Sequence, residues 1–178
     1  MKKVALYCTL FLAAAALYVP AQAQGKKEDK KKEAAPLSPR ATASNDFAEI
    51  SYGQPSKRGR QIFGSLVPYG EVWRTGANMS TDITFKTDVL FGGQQVKKGT
   101  YALFTIPAEG EWTVILNSQP KQRGASEYEA NRSKNVVEVK VPAEVQQTVE
   151  EKLTIGFEEN LLVIKWDNVR VAVPLQKK

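Results

Sequence analysis

Apolar and polar residues alternate with a period of two along most of the chain after residue 45, which is the pattern of β-strands. The pattern predicts about ten short strands, at residues 47–52, 72–75, 81–89, 94–97, 100–107, 112–117, 135–141, 149–157, 161–166 and 169–175. Tight-turn signals separate them, so we predict an all-β fold with one short helix, either an antiparallel β-sandwich or a partly closed barrel. Strands 100–107 and 112–117 are apolar on both faces, and we expect them at the centre of the sheet.

The alternation stops at residues 55–64, which have the sequence PSKRGRQIFG. Ser56 can cap the first turn of a helix there, and Gly64 can end it. We therefore place the predicted helix in this segment.

A second irregular segment, SQPKQRGASEYEANRSK, occupies residues 118–134 and is longer than the other connections. Connections of this length are often functional lids, and in that case we expect it to lie over the region of Arg74. The alternative is a short surface helix in which Ser126 caps the residues EYEANR.

The first residues have the organisation of a secretory signal peptide. Lys2 and Lys3 precede an apolar run that ends at Val19, and an A-x-A cleavage site follows. The run is shorter than the roughly 20 residues that a membrane-spanning helix needs. We predict export to the periplasm or the extracellular space, cleavage after Ala23 and no integral membrane span, with a membrane anchor as the alternative.

Residues 24–44 are rich in lysine and then in alanine, proline and serine, which predicts a disordered tether before a single domain at residues 45–178. The chain has 25 Lys and Arg against 19 Asp and Glu, a net charge of +6. Most of this excess lies before the domain, which is itself nearly neutral. We therefore expect no nucleic-acid partner.

Two residue types that carry much enzyme chemistry are scarce in this sequence. It has no histidine, and its one cysteine, Cys8, lies in the predicted signal peptide. Ser-His-Asp and Cys-His nucleophile systems are thereby excluded. The predicted domain also has no Cys or His ligand for zinc, copper or haem, so we predict no metal and no cofactor.

Three motifs in order carry a resemblance to a known family. They are YGQPSKRGRQIFGSLVPYGEVWRTGAN, ITFKTDVLFGGQQVKKGTYALFTIP and EWTVILN. Their joint spacing resembles the bacterial secreted family catalogued as domain of unknown function 2911, closely over about residues 50–118 and loosely to 175. The resemblance implies an exported β-rich domain. It implies no activity, because the family has none assigned.

The stretch EVWRTGAN, which begins at Glu71, joins aromatic, cationic and amide side chains in a strand-like context. In an extended strand Trp73 and Arg74 point to opposite faces, so the arginine lies at an edge or is paired. A structural interpretation buries Trp73, pairs Arg74 with Glu71 or Asp82 and gives Asn78 a left-handed turn. The sequence favours this interpretation, and it predicts that Arg74→Ala destabilises the domain by about 3 kcal/mol.

The other interpretation makes the same stretch part of a binding site. Arg74 and Asn78 then lie at the mouth of a cleft. Further candidates supply positive charge and an aromatic wall, namely Arg58, Arg60, Tyr52, Tyr69 and Tyr128.

These observations leave a non-catalytic binding protein or a structural envelope protein as the predicted function. The predicted partners are an envelope polymer, a glycan or a small anionic ligand. The alternative is a carboxylate-dependent glycan hydrolase, for which the acids near the motif are Glu71, Asp82, Glu109 and Glu111. Two carboxyl groups in one cleft would favour the enzyme, and arginines with aromatic residues would favour binding.

Overall fold

The computed structural model describes residues 37–178. The predicted signal peptide and residues 24–36 of the predicted tether lie outside the described residues. The elements, in chain order, are β1 (Arg40–Ser44), β2 (Ala48–Gly53), β3 (Thr81–Phe85), β4 (Val89–Phe91), β5 (Gln94–Val96), β6 (Gly99–Ile106), β7 (Glu111–Asn117), α1 (Ala125–Asn131), a 3-10 helix (Arg132–Lys134), β8 (Asn135–Glu158) and β9 (Leu161–Lys177). Within this part of the chain, no helix has the length and apolar character needed to cross a membrane.

The nine described strands form one antiparallel sheet in the order β1-β2-β3-β6-β7-β8-β9-β4-β5. β8 joins its two parts, because it pairs with β7 as far as Pro142 and with β9 from Ala143 onward. Buried side chains of both parts pack in a single cluster, so the sheet folds over on itself. The predicted all-β antiparallel class is confirmed, and the sheet does not close into a barrel.

β6 and β7 are the fourth and fifth strands in the order of the nine-stranded sheet, so they lie centrally, as the apolar pattern predicts. On one face, Leu103 and Leu116 belong to the main core. On the other face, Phe104 and Ile115 form a second cluster with Tyr128 of α1. Burial on both faces explains why these strands are apolar throughout.

The predicted helix at residues 55–64 is wrong. Arg58 and Gly59 have positive φ values of 50° and 69°, which a right-handed helix cannot contain. The backbone before them pairs with β8 instead, since Ser56 forms a β-bridge with Lys152. A distant strand therefore supplies the hydrogen-bond partners that a helix would have found locally.

The helical alternative for residues 118–134 is confirmed by α1. Its N-cap is Gly124, and no side chain caps its first turn. The predicted cap by Ser126 is wrong, because that hydroxyl donates to the carbonyl of Arg123 at 3.1 Å. α1 packs on the sheet through Tyr128, whose ring centroid lies 4.8 Å from that of Phe104.

Strand boundaries differ from the predictions at several places. The predicted tether is wrong over its last five residues, which form β1 and pair with β2. The predicted strand 72–75 is reduced to a bridge between Trp73 and Thr105. The predicted strand 81–89 divides into β3 and β4, and the last four predicted strands join in pairs as β8 and β9.

Candidate functional site

A cleft of about 310 Å³ opens beside the EVWRTGAN stretch, and we call it the arginine cleft. Its lining residues are Ser38, Pro55, Arg60, Leu66, Val67, Trp73, Arg74, Gly76, Ala77 and Trp166. Two of these side chains are cationic and none is acidic. Small-molecule sites have volumes of roughly 300–1,000 Å³, so the volume of the cleft lies at the lower end of this range.

The backbone of the stretch is held against its neighbours on two sides. Trp73 donates to the carbonyl of Thr105 at 2.7 Å and accepts from its amide at 2.9 Å. The amide of Ala77 donates to the carbonyl of Gly53 at 3.2 Å. A Cβ atom on Gly53 would lie 2.0 Å from the oxygen of Ala77, so only glycine permits this approach. Between these contacts, Thr75 turns the chain with a φ of 53°.

Aromatic side chains form the apolar floor of the arginine cleft. The rings of Trp73 and Trp166 are stacked, with centroids 5.8 Å apart and an interplanar angle of 19°. Phe63 and Trp112 meet Trp73 edge to face at 6.1 and 6.3 Å. The predicted burial of Trp73 in the core is confirmed only in part, since it packs against the main cluster but is half-buried and also lines the cleft.

Arg74 forms no salt bridge with any described residue. Its Nε atom is buried and has no hydrogen-bond partner in this part of the chain. The predicted pairing with Glu71 or Asp82 is therefore wrong. Asp82 instead accepts from the Ser80 hydroxyl at 2.9 Å and from the Lys121 amide at 3.2 Å.

Arg60 is the second cationic side chain of the cleft. It donates from Nε to the carbonyl of Lys57 at 2.9 Å and from Nη2 to that of Ser56 at 2.6 Å. These contacts orient the guanidinium and leave its other N–H groups without a partner among the described residues. Nearby, Lys57 is neutralised by an ion pair with Asp167. Among the described residues, Arg60 and Arg74 are thus the positive groups that line this site.

Asn78 and Arg58 lie close in sequence to the cleft but do not line it. Asn78 has the predicted left-handed backbone, with a φ of 68°, and its side-chain amide donates to the carbonyl of Ser38 at 3.0 Å. Arg58 is exposed, and its backbone amide donates to Glu151 at 2.8 Å. Their observed contacts are structural.

The predicted aromatic wall of tyrosines is wrong. Tyr52 is buried in the main core, and Tyr128 is buried under α1, where its hydroxyl accepts from the Asn135 side chain at 2.8 Å. Tyr69 is exposed, but it lines a separate apolar cleft of about 130 Å³. Trp166 takes their place in the arginine cleft, and sequence reasoning missed it because the run LLVIKW looks like an ordinary buried strand.

The four acids considered for hydrolysis do not meet. Glu71, Asp82 and Glu109 border three different concavities, and none of them lines the arginine cleft. Glu111 pairs with Lys140 at 3.3 Å. Over residues 37–178, no group of three or more acidic, Cys or His side chains could hold a metal ion. The described residues thus offer no carboxylate pair in this cleft.

Comparison with known proteins gives one match. A family model described as "Protein of unknown function (DUF2911)" matches residues 38–175. This range contains every residue that lines the arginine cleft. No curated protein and no solved structure matches the chain.

Proposed function

Because the chain belongs to the DUF2911 family of proteins of unknown function, we propose a function from the geometry: the arginine cleft binds a small anionic ligand without catalysis. The observation that carries the proposal is Arg74, which lines the cleft with a buried Nε atom and no partner among the described residues. Buried N–H groups normally have acceptors. A carboxylate or phosphate that enters the cleft would supply acceptors to this guanidinium through charge-assisted hydrogen bonds.

The lining also defines the class of ligand. Arg60 offers further donors beside Arg74, and no acid among the described residues lines the cleft to repel an anion. Trp73 is half-buried and Trp166 is 2 % exposed, so the floor presents a narrow apolar surface. A single acidic sugar or another compact carboxylate or phosphate fits these features. Such a group occurs both as a free metabolite and as a unit of an envelope polymer.

The proposal includes export. The Lys2-Lys3 region, the apolar run and the A-x-A site support a signal peptide cleaved after Ala23, with a periplasmic or extracellular location. There the cleft would meet acidic envelope glycans. Intact-mass measurement of the protein recovered from outside the cytoplasm tests this part, and a mass that retains residues 1–23 would overturn it.

Isothermal titration of the purified protein tests binding. The probes are inorganic phosphate and glucuronate, with uncharged glucose as the control ligand. We expect at least one anion to bind and glucose not to bind. Arg74→Ala and Arg60→Ala should each weaken anion binding by about tenfold or more, which corresponds to roughly 1.4 kcal/mol.

Arg132→Ala is the matched control variant. Arg132 is an exposed arginine outside the arginine cleft and lies 3.8 Å from Glu129. Its removal changes the net charge by the same amount and should leave affinity unchanged. Absence of binding for both anions, or an equal loss in all three variants, would contradict the proposal.

A further inference from the structure

The Arg74 guanidinium lies so close to residue 124 that the two fit together only because residue 124 is glycine. A Cβ atom on Gly124 would lie 2.9 Å from Nη1 of Arg74, and 3.7 and 3.8 Å from its Cδ and Cζ atoms. A side chain there would therefore displace the end of the arginine, which is the flexible partner in this contact. Gly124 also has φ 71° and ψ −166°, a conformation that is essentially restricted to glycine.

We infer that Gly124 is a positioning residue for the Arg74 guanidinium, and the binding consequence of this inference rests on the proposed function. Gly124 is not a lining residue of the arginine cleft and has no side chain to contact a ligand. It acts through Arg74, by leaving open the volume that the guanidinium occupies.

Hydrogen bonds join the backbone of the 118–134 connection to the turn that follows Arg74. The amide of Ser80 donates to the carbonyl of Gln122 at 2.8 Å, and the amide of Gln122 donates to the Ser80 hydroxyl at 3.0 Å. Ser80 belongs to the same turn as Arg74, whose carbonyl accepts from the amide of Thr81 at 3.3 Å. The distance between Gly124 and Arg74 is thus set by backbone contacts that do not involve the guanidinium.

The residues directly before Gly124 are also held by contacts within the 118–134 connection. Gln122 is 1 % exposed, and its side-chain amide donates to Asn117 Oδ1 at 3.0 Å and to the carbonyl of Gln119 at 2.7 Å. Next to it, the amide of Arg123 donates to the Glu127 carboxylate of α1 at 2.8 Å. These contacts place Gly124 of the 118–134 connection beside the Arg74 side chain.

A double-mutant cycle tests the inference without any ligand. Gly124→Ala and Arg74→Ala are made singly and together, and thermal unfolding is measured for each protein. In the wild-type background, Gly124→Ala adds both backbone strain and a clash with Arg74. In the Arg74→Ala background it adds only the strain, so we expect the loss of melting temperature to be clearly smaller there.

Gly110→Ala is the matched control for strain. Gly110 also has a positive φ, 82°, but a Cβ atom there meets nothing within 4 Å. Its effect on melting temperature should be the same with and without Arg74. Equal losses from Gly124→Ala in both backgrounds would overturn the inference. If Gly124→Ala alone does not fold, recovery of folding in the double variant supports the inference, and failure to recover contradicts it.

Affinity for phosphate or glucuronate gives the second readout. We expect Gly124→Ala to weaken binding of the anion about tenfold or more, and Gly110→Ala to leave it unchanged. If Gly124→Ala binds the anion as tightly as the wild type, the inference that Gly124 positions Arg74 for binding is wrong. If the stability coupling is present while no variant or wild type binds either anion, the proposed function fails and the positioning of Arg74 by Gly124 stands.

Discussion

Arg170 and Arg74 are two half-buried arginines of the same sheet protein, and their surroundings differ. Arg170 lies on β9 and donates to Glu144 at 3.0 Å and to Glu158 at 3.1 Å. The pKa of Arg170 is raised, and the main cause is its hydrogen bond with Glu158. Arg74 has no carboxylate partner among the described residues, and its Nε atom is buried without an acceptor.

This difference in partners distinguishes an arginine with a structural role, Arg170, from a candidate ligand-binding arginine, Arg74. A guanidinium that two carboxylates already satisfy has little to gain from a bound anion. A guanidinium with an unpartnered buried N–H group gains a strong hydrogen bond when an anion arrives. The arrangement around each arginine, rather than residue type or exposure, is what supports the proposal that the arginine cleft binds an anion.

Replacement of the paired arginine should have the largest effect on stability. Arg170→Met keeps an unbranched apolar stem but removes both hydrogen bonds, which leaves Glu144 without that partner. Since both carboxylates are substantially exposed, we expect a loss of about 1 kcal/mol in the free energy of unfolding. Chemical denaturation measures this value. A variant as stable as the wild type would show that pairing on β9 contributes nothing, and would weaken the contrast with Arg74.

Much of this fold follows from local pattern, but the contrast between the two arginines does not. β6 and β7 are central because apolar residues on both faces can only be buried between layers, and the sequence shows this directly. β1 has the sequence RATAS, which lacks large apolar residues, and it becomes a strand only by pairing with β2. Pairing partners of this kind are chosen by tertiary contacts that no local window contains.

The same limit applies to the site. The sequence singled out Arg74 and Arg60, which do line the cleft. It could not show that Trp166 lies beside Trp73, because the two tryptophans stack only after β9 has folded over the first part of the sheet. Nor could it show that Asp82 bonds Ser80 and Lys121 in preference to Arg74.

Lowering the pH should protonate Glu158 and reduce the free energy of unfolding by less than Arg170→Met does. Hydrogen bonds from Lys165 and then Arg170 hold the pKa of this carboxylate below its usual value. A lowered folded pKa contributes stability above the unfolded pKa, and this contribution is lost as pH falls through the folded pKa. The effect is below about 1 kcal/mol because the side chain is 46 % exposed.

Glu158→Gln isolates this contribution. We expect the variant to melt below the wild type at neutral pH, and the difference to shrink as the pH falls below the ordinary pKa of glutamate and through the lowered pKa of Glu158, where the wild-type carboxylate also becomes protonated. Thermal unfolding at a series of pH values measures the two curves. A constant difference over the whole range would mean that the charge of Glu158 is not what stabilises this cluster.

Replacement of Arg74 should cost no stability, and it is the sharpest test of the comparison. Arg74→Met retains an apolar stem of similar length while it removes the buried Nε that has no partner among the described residues. Loss of an unsatisfied buried donor is neutral or favourable, so we expect a melting temperature equal to that of the wild type or higher by roughly 2–4 °C. The shift should also be independent of pH, because no carboxylate pairs with this arginine among the described residues. A loss of several degrees, as for Arg170→Met, would show that the guanidinium has a structural partner and would restore the interpretation of Arg74 as a core ion-pair residue.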